Sequence, residues 1–402
     1  MLNLPYWLCT TAMNLNISID ITATPAATNV DWSNQNLSKW GAEVSRECKR
    51  VLQKTVRRVS LKGNHFRGAQ VFGPNGVIDA FDKMEWLDVR DNKMEWLDCP
   101  RLPKGYNVAS GAASLPLLMS GNVIERVAFN FGSCTMGINA VEAAFACIRT
   151  ATANTNRPFS LAIERLQIKT IPSRWFAMPQ LERLEIKGWT APPPSFDAVQ
   201  MSPTAFEGLQ GLRELILDEL VLDTIPASVF QPLHRLTSLK IRRWTYMVQF
   251  PTSLLAPLVN LTDLETFFIS NTEIEYHTNK STSASRTKTT QGVPEFFHGL
   301  TGLKRLHNHG SITGLKFPDL PALEYLDWFN SGVREWPMGY FKGVPTLTQI
   351  EVHQMSSAPR FFNGTFAGLS KLTSLRLYTH STKGVNDYVS LAKCSVAFFN
   401  LK

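Results

Sequence analysis

The stretch Met84-Glu85-Trp86-Leu87-Asp88-Val89-Arg90-Asp91-Asn92-Lys93-Met94-Glu95-Trp96-Leu97 decides the fold. It opens two copies of the pentapeptide Met-Glu-Trp-Leu-Asp, starting at Met84 and at Met94. Two coils of chain do not fit in so short an interval, so the spacing is read as one coil. With Met84 at position 1, Leu87, Val89, Asn92, Met94 and Leu97 fall at positions 4, 6, 9, 11 and 14. Positions 4 and 6 alternate as in a strand and share a face. One such coil cannot bury its apolar edge alone, so neighbouring coils must stack in parallel. The alternative for this stretch is a hairpin turning at Asp91-Asn92.

The 1-4-6 pattern recurs along the chain. It is read at Val56/Val59/Leu61, Ile124/Val127/Phe129, Ile163/Leu166/Ile168, Leu181/Leu184/Ile186, Leu212/Leu215/Leu217 and Leu236/Leu239/Ile241. It continues at Leu264/Phe267/Ile269, Leu303/Leu306/Asn308, Leu323/Leu326/Trp328, Leu347/Ile350/Val352 and Leu372/Leu375/Leu377. A second apolar set follows the strand positions, as in Leu222 and Ile225 before Pro226, and Val333 and Trp336 before Pro337. Ahead of the next strand comes Phe-x-Gly-Leu-x-x-Leu, at Phe206–Leu212, Phe297–Leu303 and Phe366–Leu372, with a variant at Phe341–Leu347. These phenylalanines are expected to stack as a spine.

The two sub-patterns together resemble the leucine-rich-repeat family, in the phenylalanine-spine class common among extracellular Toll-like and Slit-like proteins. The resemblance runs from Val56 to Leu377. It implies an α/β solenoid, a horseshoe with a parallel concave sheet and a mostly irregular or short-helical convex side. It also implies recognition of a macromolecular ligand without catalysis. The family's Asn at position 9 is found at Asn64 and Asn92 but is Trp189, Leu220 or Ser331 elsewhere, which predicts a sparse Asn ladder.

Composition agrees with a folded array. The 402 residues are 44% hydrophobic and 18% charged, which excludes general disorder. The net charge of +8 suits an acidic partner. The six cysteines include no CxxC pair, which argues against a zinc site; Cys134 and Cys147 are close enough in sequence to bridge, while buried thiols are the alternative. No apolar run is long enough for a membrane span. Sequons stand at Asn16, Asn36, Asn260, Asn279 and Asn363.

Residues 1–30 are expected to be a signal or poorly ordered segment. Residues 31–55 are expected to form a helical cap, with Leu37, Trp40, Val44 and Cys48 on one face. The array is placed at 56–382. Its irregular insert at 100–160 carries an alanine-rich helix at Asn139–Arg149, and a polar loop interrupts it at 277–292. Residues 383–402 are a candidate C-terminal cap.

Positions 3, 5 and 7 of each coil should face away from the core. On that face the late coils bring Phe268, Arg305, His307, His309, Tyr325, Asp327, Phe329, His353, Arg376 and Tyr378 together as candidate ligand-binding residues. Earlier coils supply candidate anion-binding residues: Arg126, Arg165, Lys169, Arg183, Lys187, Lys240 and Arg242. His307, His309, Asp327, Glu351 and His353 fall on adjacent strands and could be read as metal ligands. A polar cluster is the simpler reading, and no metal or cofactor is expected. No nucleophile is placed to join Asp327 in acid–base chemistry, so no enzyme is expected. The expected function is a non-catalytic recognition module, extracellular or secreted, binding a protein ligand. An anionic glycan is the alternative ligand, and a nucleic acid is not expected. The alternative function is a cytoplasmic scaffold or substrate-recognition subunit, as of a ubiquitin ligase.

Overall fold

The computed structural model describes residues 18–20, 28–38, 53–73, 76–98, 100, 103–104, 117–130, 138–153, 157–165, 168–188, 199–222, 224–242, 251, 253–267, 297–309, 317–329, 335–355, 360–379 and 388–392. The chain divides into two compact units, Met1–Leu166 with Ala177–Glu182, and Gln167–Phe176 with Arg183–Lys402.

The first unit contains β1 (Ser18–Asp20), β2 (Thr28–Asp31), β3 (Val56–Ser60), β4 (Trp86–Asp88), β5 (Trp96–Asp98), β6 (Leu117–Leu118), β7 (Arg126–Asn130) and β8 (Phe159–Glu164). Its helices are α1 (Gly68–Phe72), α2 (Val77–Ala80) and α3 (Ile138–Thr152). One sheet runs in the order β1-β2-β3-β4-β6, parallel except for the antiparallel β1–β2 pair. Val30, Val59, Leu87 and Leu117 align across it as position 4, and all are buried. A second parallel ladder joins β5 to β7 and β7 to β8, aligning Leu97, Val127 and Leu161. The coils of Leu87 and Leu117 therefore each feed position 4 into one sheet and position 14, Leu97 or Val127, into another. β4 and β5 are not a hairpin, because β4 pairs with β3 and β6 while β5 pairs with β7.

The corner between the two strands lies at position 8, where the chain turns through the left-handed region. Asn34, Gly63, Asp91 and Gly121 have φ of 58°, 69°, 56° and 78°. Asn and Asp tolerate this conformation, and glycine adopts it freely. The next residue caps the corner. Asn64 donates to the carbonyls of Trp32 (2.7 Å) and Leu61 (2.9 Å) and accepts from the amides of Gln35 and Leu37. Asn92 donates to Leu61 O (2.9 Å) and Val89 O (3.1 Å) and accepts from Phe66 N. Asn122 donates to Val89 O (2.9 Å) and Met119 O (2.8 Å) and accepts from Met94 N. All three are buried, so the Asn ladder of this unit has a third rung that the expected register missed.

That miss has a physical origin. Positions 11, 14 and 16 repeat the spacing of 1, 4 and 6. Ile124, Val127 and Phe129 occupy the later set, in the coil that carries Leu117, Met119 and Asn122. The same unit corrects Ile163/Leu166/Ile168. In β8, Leu161 aligns with Val127 and Ile163 with Phe129, and Arg165 at φ 56° is already in the turn.

The N-terminal residues also differ from expectation. Residues 28–38 are a strand and turn, not part of a disordered segment followed by a helical cap. Trp32 is buried, and its amide donates to Ser60 O at 2.8 Å, so this segment is already a coil of the array. Residues 39–52 of the expected cap lie outside the described residues, as does the 277–292 loop. The alanine-rich helix is present as α3; Phe145 packs edge-on against Phe129 at 5.3 Å. Cys147 on α3 is a buried free thiol, and Cys134, its expected partner, lies outside the described residues.

The second unit contains β9 (Thr170–Ile171), β10 (Leu181–Lys187, from Arg183 onward), β11 (Gln200–Met201), β12 (Glu214–Asp218), β13 (Ser238–Arg242), β14 (Asp263–Phe267), β15 (Arg305–His309), β16 (Tyr325–Phe329), β17 (Glu335–Trp336), β18 (Gln349–Met355), β19 (Arg360–Phe361), β20 (Ser374–Thr379) and β21 (Tyr388–Ala392). Its main sheet runs β10-β12-β13-β14-β15-β16-β18-β20-β21, parallel until the antiparallel β20–β21 pair. Leu184, Leu215, Leu239, Leu264, Leu306, Leu326, Ile350 and Leu375 form one continuous buried row at position 4. Leu264 is therefore position 4 and not position 1. Thr266, aligned with Ile241 and Asn308, takes position 6.

Short parallel pairs, β9 with β11 and β17 with β19, form at position 14. Between the strand layers runs a row of phenylalanines. Phe176–Phe206 and Phe206–Phe230 stack at 6.2 and 6.0 Å, Phe317 lies 5.6 Å from Phe341, and Phe341–Phe366 stack at 5.7 Å. Phe206, Phe341 and Phe366 are expected members. Phe297 is buried, and Phe176, Phe230 and Phe317 extend the row. Beside it, Trp336 stacks between Trp328 (6.3 Å) and Tyr340 (6.0 Å). The parallel ladders and buried rows of each unit are those of a leucine-rich-repeat-like α/β solenoid.

Candidate functional site

In the second unit the side chains of positions 3 and 5 leave the core and stand in rows across neighbouring strands. The pleat makes this alternation, and the regular parallel register brings side chains from successive strands within reach of one another. On β13, Ser238, Lys240 and Arg242 are half-exposed while Leu239 and Ile241 are buried.

The rows are interleaved ion pairs. Arg183 reaches Glu214 at 2.8 Å and Glu185 at 3.0 Å, and Lys240 reaches Glu214 at 2.9 Å. Arg242 grips Glu265 with two nitrogens, each at 2.6 Å, a bidentate fork. Arg305 binds Asp263 at 2.6 Å, and Arg376 binds Glu351 at 2.8 Å. Lys187 lies 3.9 Å from Glu219. Four of the expected anion-binding residues thus each face a carboxylate: Arg183, Lys240 and Arg242 one of their own sheet, and Lys187 that of Glu219 in the turn after β12.

The other three occupy other settings. Arg126 belongs to the first unit, on β7 of the ladder fed by position 14. Arg165 sits in the left-handed turn after β8, and Lys169 is exposed just before β9. The placements of Arg165 and Lys169 correct the expected strand positions, because β8 aligns Leu161, not Leu166, with Val127. The same cause hid Asp263 and Glu265. Reading Leu261 and Leu264 as positions 1 and 4 would have exposed both, but the polar Thr266 at position 6 masked that alignment.

Among the candidate ligand-binding residues, six are brought together: Arg305, His307, Tyr325, Asp327, His353 and Arg376. Their centre is the Asp327 carboxylate. His307 Nδ1 lies 3.2 Å from its Oδ2, and His353 Nε2 lies 3.4 Å from its Oδ1 and 3.7 Å from Glu351 Oε2. The Tyr325 ring stands 5.1 Å from the His307 ring. The hydrogen bond to Asp327 raises the His307 pKa above its ordinary value, against partial desolvation, with help from the charges of Asp327, Asp263 and Glu265. His309, Phe329 and Tyr378 lie on β15, β16 and β20, with side chains outside the described set; Phe268 is outside it altogether. The His307–Asp327 separation is a hydrogen-bond distance and the His353 separations are ion-pair distances, and no metal-holding group of three ligands occurs among the described residues. This surface can pair charges and donate or accept hydrogen bonds over several strands at once.

No helix among the described residues is long and apolar enough to cross a membrane. No protein-family model matches the sequence, and no curated protein matches it. Among solved structures, the chain is similar to that of a TLR13-ssRNA13 complex, at 14% identity and a TM-score of 0.31. The match covers 81% of this chain and 61% of the other, so this chain spans about three fifths of the length of that structure.

Proposed function

We propose that the chain is a non-catalytic recognition module of the leucine-rich-repeat, phenylalanine-spine class, binding a protein ligand through the strand face of its second unit. One observation carries this reading: half-exposed charged, imidazole and aromatic side chains stand in register on consecutive parallel strands. Such a surface presents many preset contacts, and Arg and Tyr are frequent anchors of protein interfaces. The interleaved carboxylates favour a protein of mixed charge over a polyanion, which would meet Glu214, Asp263, Glu265 and Glu351 among the cations. The exposed sequon asparagines Asn260 and Asn363 fit an extracellular location.

The test replaces Arg305, Tyr325 and Gln349, which align on three adjacent strands, with Glu, Ser and Ala. Cross-linking and mass spectrometry on material from the source organism then compare the partners of both proteins. The expected result is a partner captured by the wild type and lost by the triple variant at unchanged circular dichroism. Equal capture by both would overturn the proposal.

A further inference from the structure

Two imidazoles from different strands share one carboxylate on this face. His307 on β15 approaches one oxygen of Asp327, and His353 on β18 approaches the other. The three side chains are half-buried, so their charges are screened less than free surface charges. Two histidines coupled through one acid add their protons in linked steps that belong to the cluster as a whole.

We infer that His307, Asp327 and His353 form a proton-operated charge switch at the centre of the recognition face, regulating which partner charges it accepts. This inference rests on the recognition reading above. With both imidazoles neutral the cluster carries one negative charge. The first proton cancels it, and the second makes it positive.

The surrounding groups set the direction. From β14, Asp263 and Glu265 favour proton uptake on His307, although Arg305 and Arg242 partly offset them. On β15 itself stand Arg305 and His309, and on β16 Tyr325 stands beside the His307 ring. From β18, Glu351 lies 3.7 Å from His353, while Arg376 on β20 holds the other side of Glu351. Acidification therefore converts the middle of the face from one that accepts basic side chains to one that accepts acidic ones. Histidine ordinarily titrates near 6.5, and the bond to Asp327 holds His307 above that value.

The experiment needs no partner. The full chain, labelled with 13C-histidine, is titrated by NMR as wild type, Asp327→Asn and His353→Gln. The chain has eight histidines, few enough to assign by substitution. In the wild type, His307 and His353 are expected each to report both protonation steps. In Asp327→Asn the His307 midpoint should fall, and in His353→Gln the His307 curve should become a single step. Independent single-step curves for the two histidines, unmoved by either substitution, would overturn the switch while leaving the partner-capture result untouched. Equal capture by the wild type and the triple variant, with these titrations intact, would instead count against the recognition reading.

Discussion

The side-chain amide of Asn92 donates to the carbonyl of Leu61, one coil earlier, at 2.9 Å, and its oxygen accepts the amide of Phe66. One buried residue thus satisfies backbone groups of two coils. Replacing it by Ala leaves them unpaired, at about 1–3 kcal/mol for each orphaned group. Asn92→Ala is expected to lower stability by roughly 3 kcal/mol or more, read as a drop in the urea midpoint. An unchanged midpoint would show that water replaces the amide.

Trp336 is fully buried between Trp328 and Tyr340. No neighbouring coil can collapse into the space of an indole without shifting its strand. Trp336→Ala is expected to cost about 3–5 kcal/mol, and differential scanning calorimetry measures it.

At position 8 the same turn is made by Gly121 and by Asp91. A Cβ on Gly121 would lie 1.9 Å from Asp91 Oδ1, at φ 78°. Gly121→Ala is expected to destabilise by about 1–2 kcal/mol through left-handed strain alone, with the contact adding to it. Asp91→Gly is expected to be nearly neutral by the same assay, since glycine adopts the turn without strain.

His307 gains stability from its bond to Asp327 when protonated. Its folded pKa is raised, so this contribution is fully present below the ordinary pKa of 6.5 and is lost as pH rises through the folded value. The melting temperature of wild type minus that of His307→Gln should therefore shrink as pH rises from mildly acidic to mildly alkaline. A difference that grows with pH contradicts the assignment.

Burial pushes the Cys147 thiol up to about 11. At pH 8 only about one molecule in a thousand carries the reactive thiolate. Iodoacetamide should leave the Cys147 peptide unmodified in the folded protein and alkylate it in urea, as peptide mass spectrometry would show.

Much of this was legible in the sequence because the apolar spacing reports burial directly. The rows through Leu184, Leu215 and Leu239 follow from it without adjustment. The failures share one cause. Apolar side chains at positions 11, 14 and 16 mimic 1, 4 and 6, so Ile124 and Val127 look like the opening of a coil when they are positions 11 and 14 of the coil of Leu117. The Gly121-Asn122 pair, matching Gly63-Asn64, held the information that separates the two. The charge pairing was less legible, because it depends on which carboxylate a cation meets in the adjacent coil. Lys240 finds Glu214, which lies in another coil and another row.

The antiparallel strands β1 and β21 stand at the outer margin of their sheets. At these two margins the strand direction reverses, so a further coil that kept the direction of the array would pair antiparallel with β1 or β21.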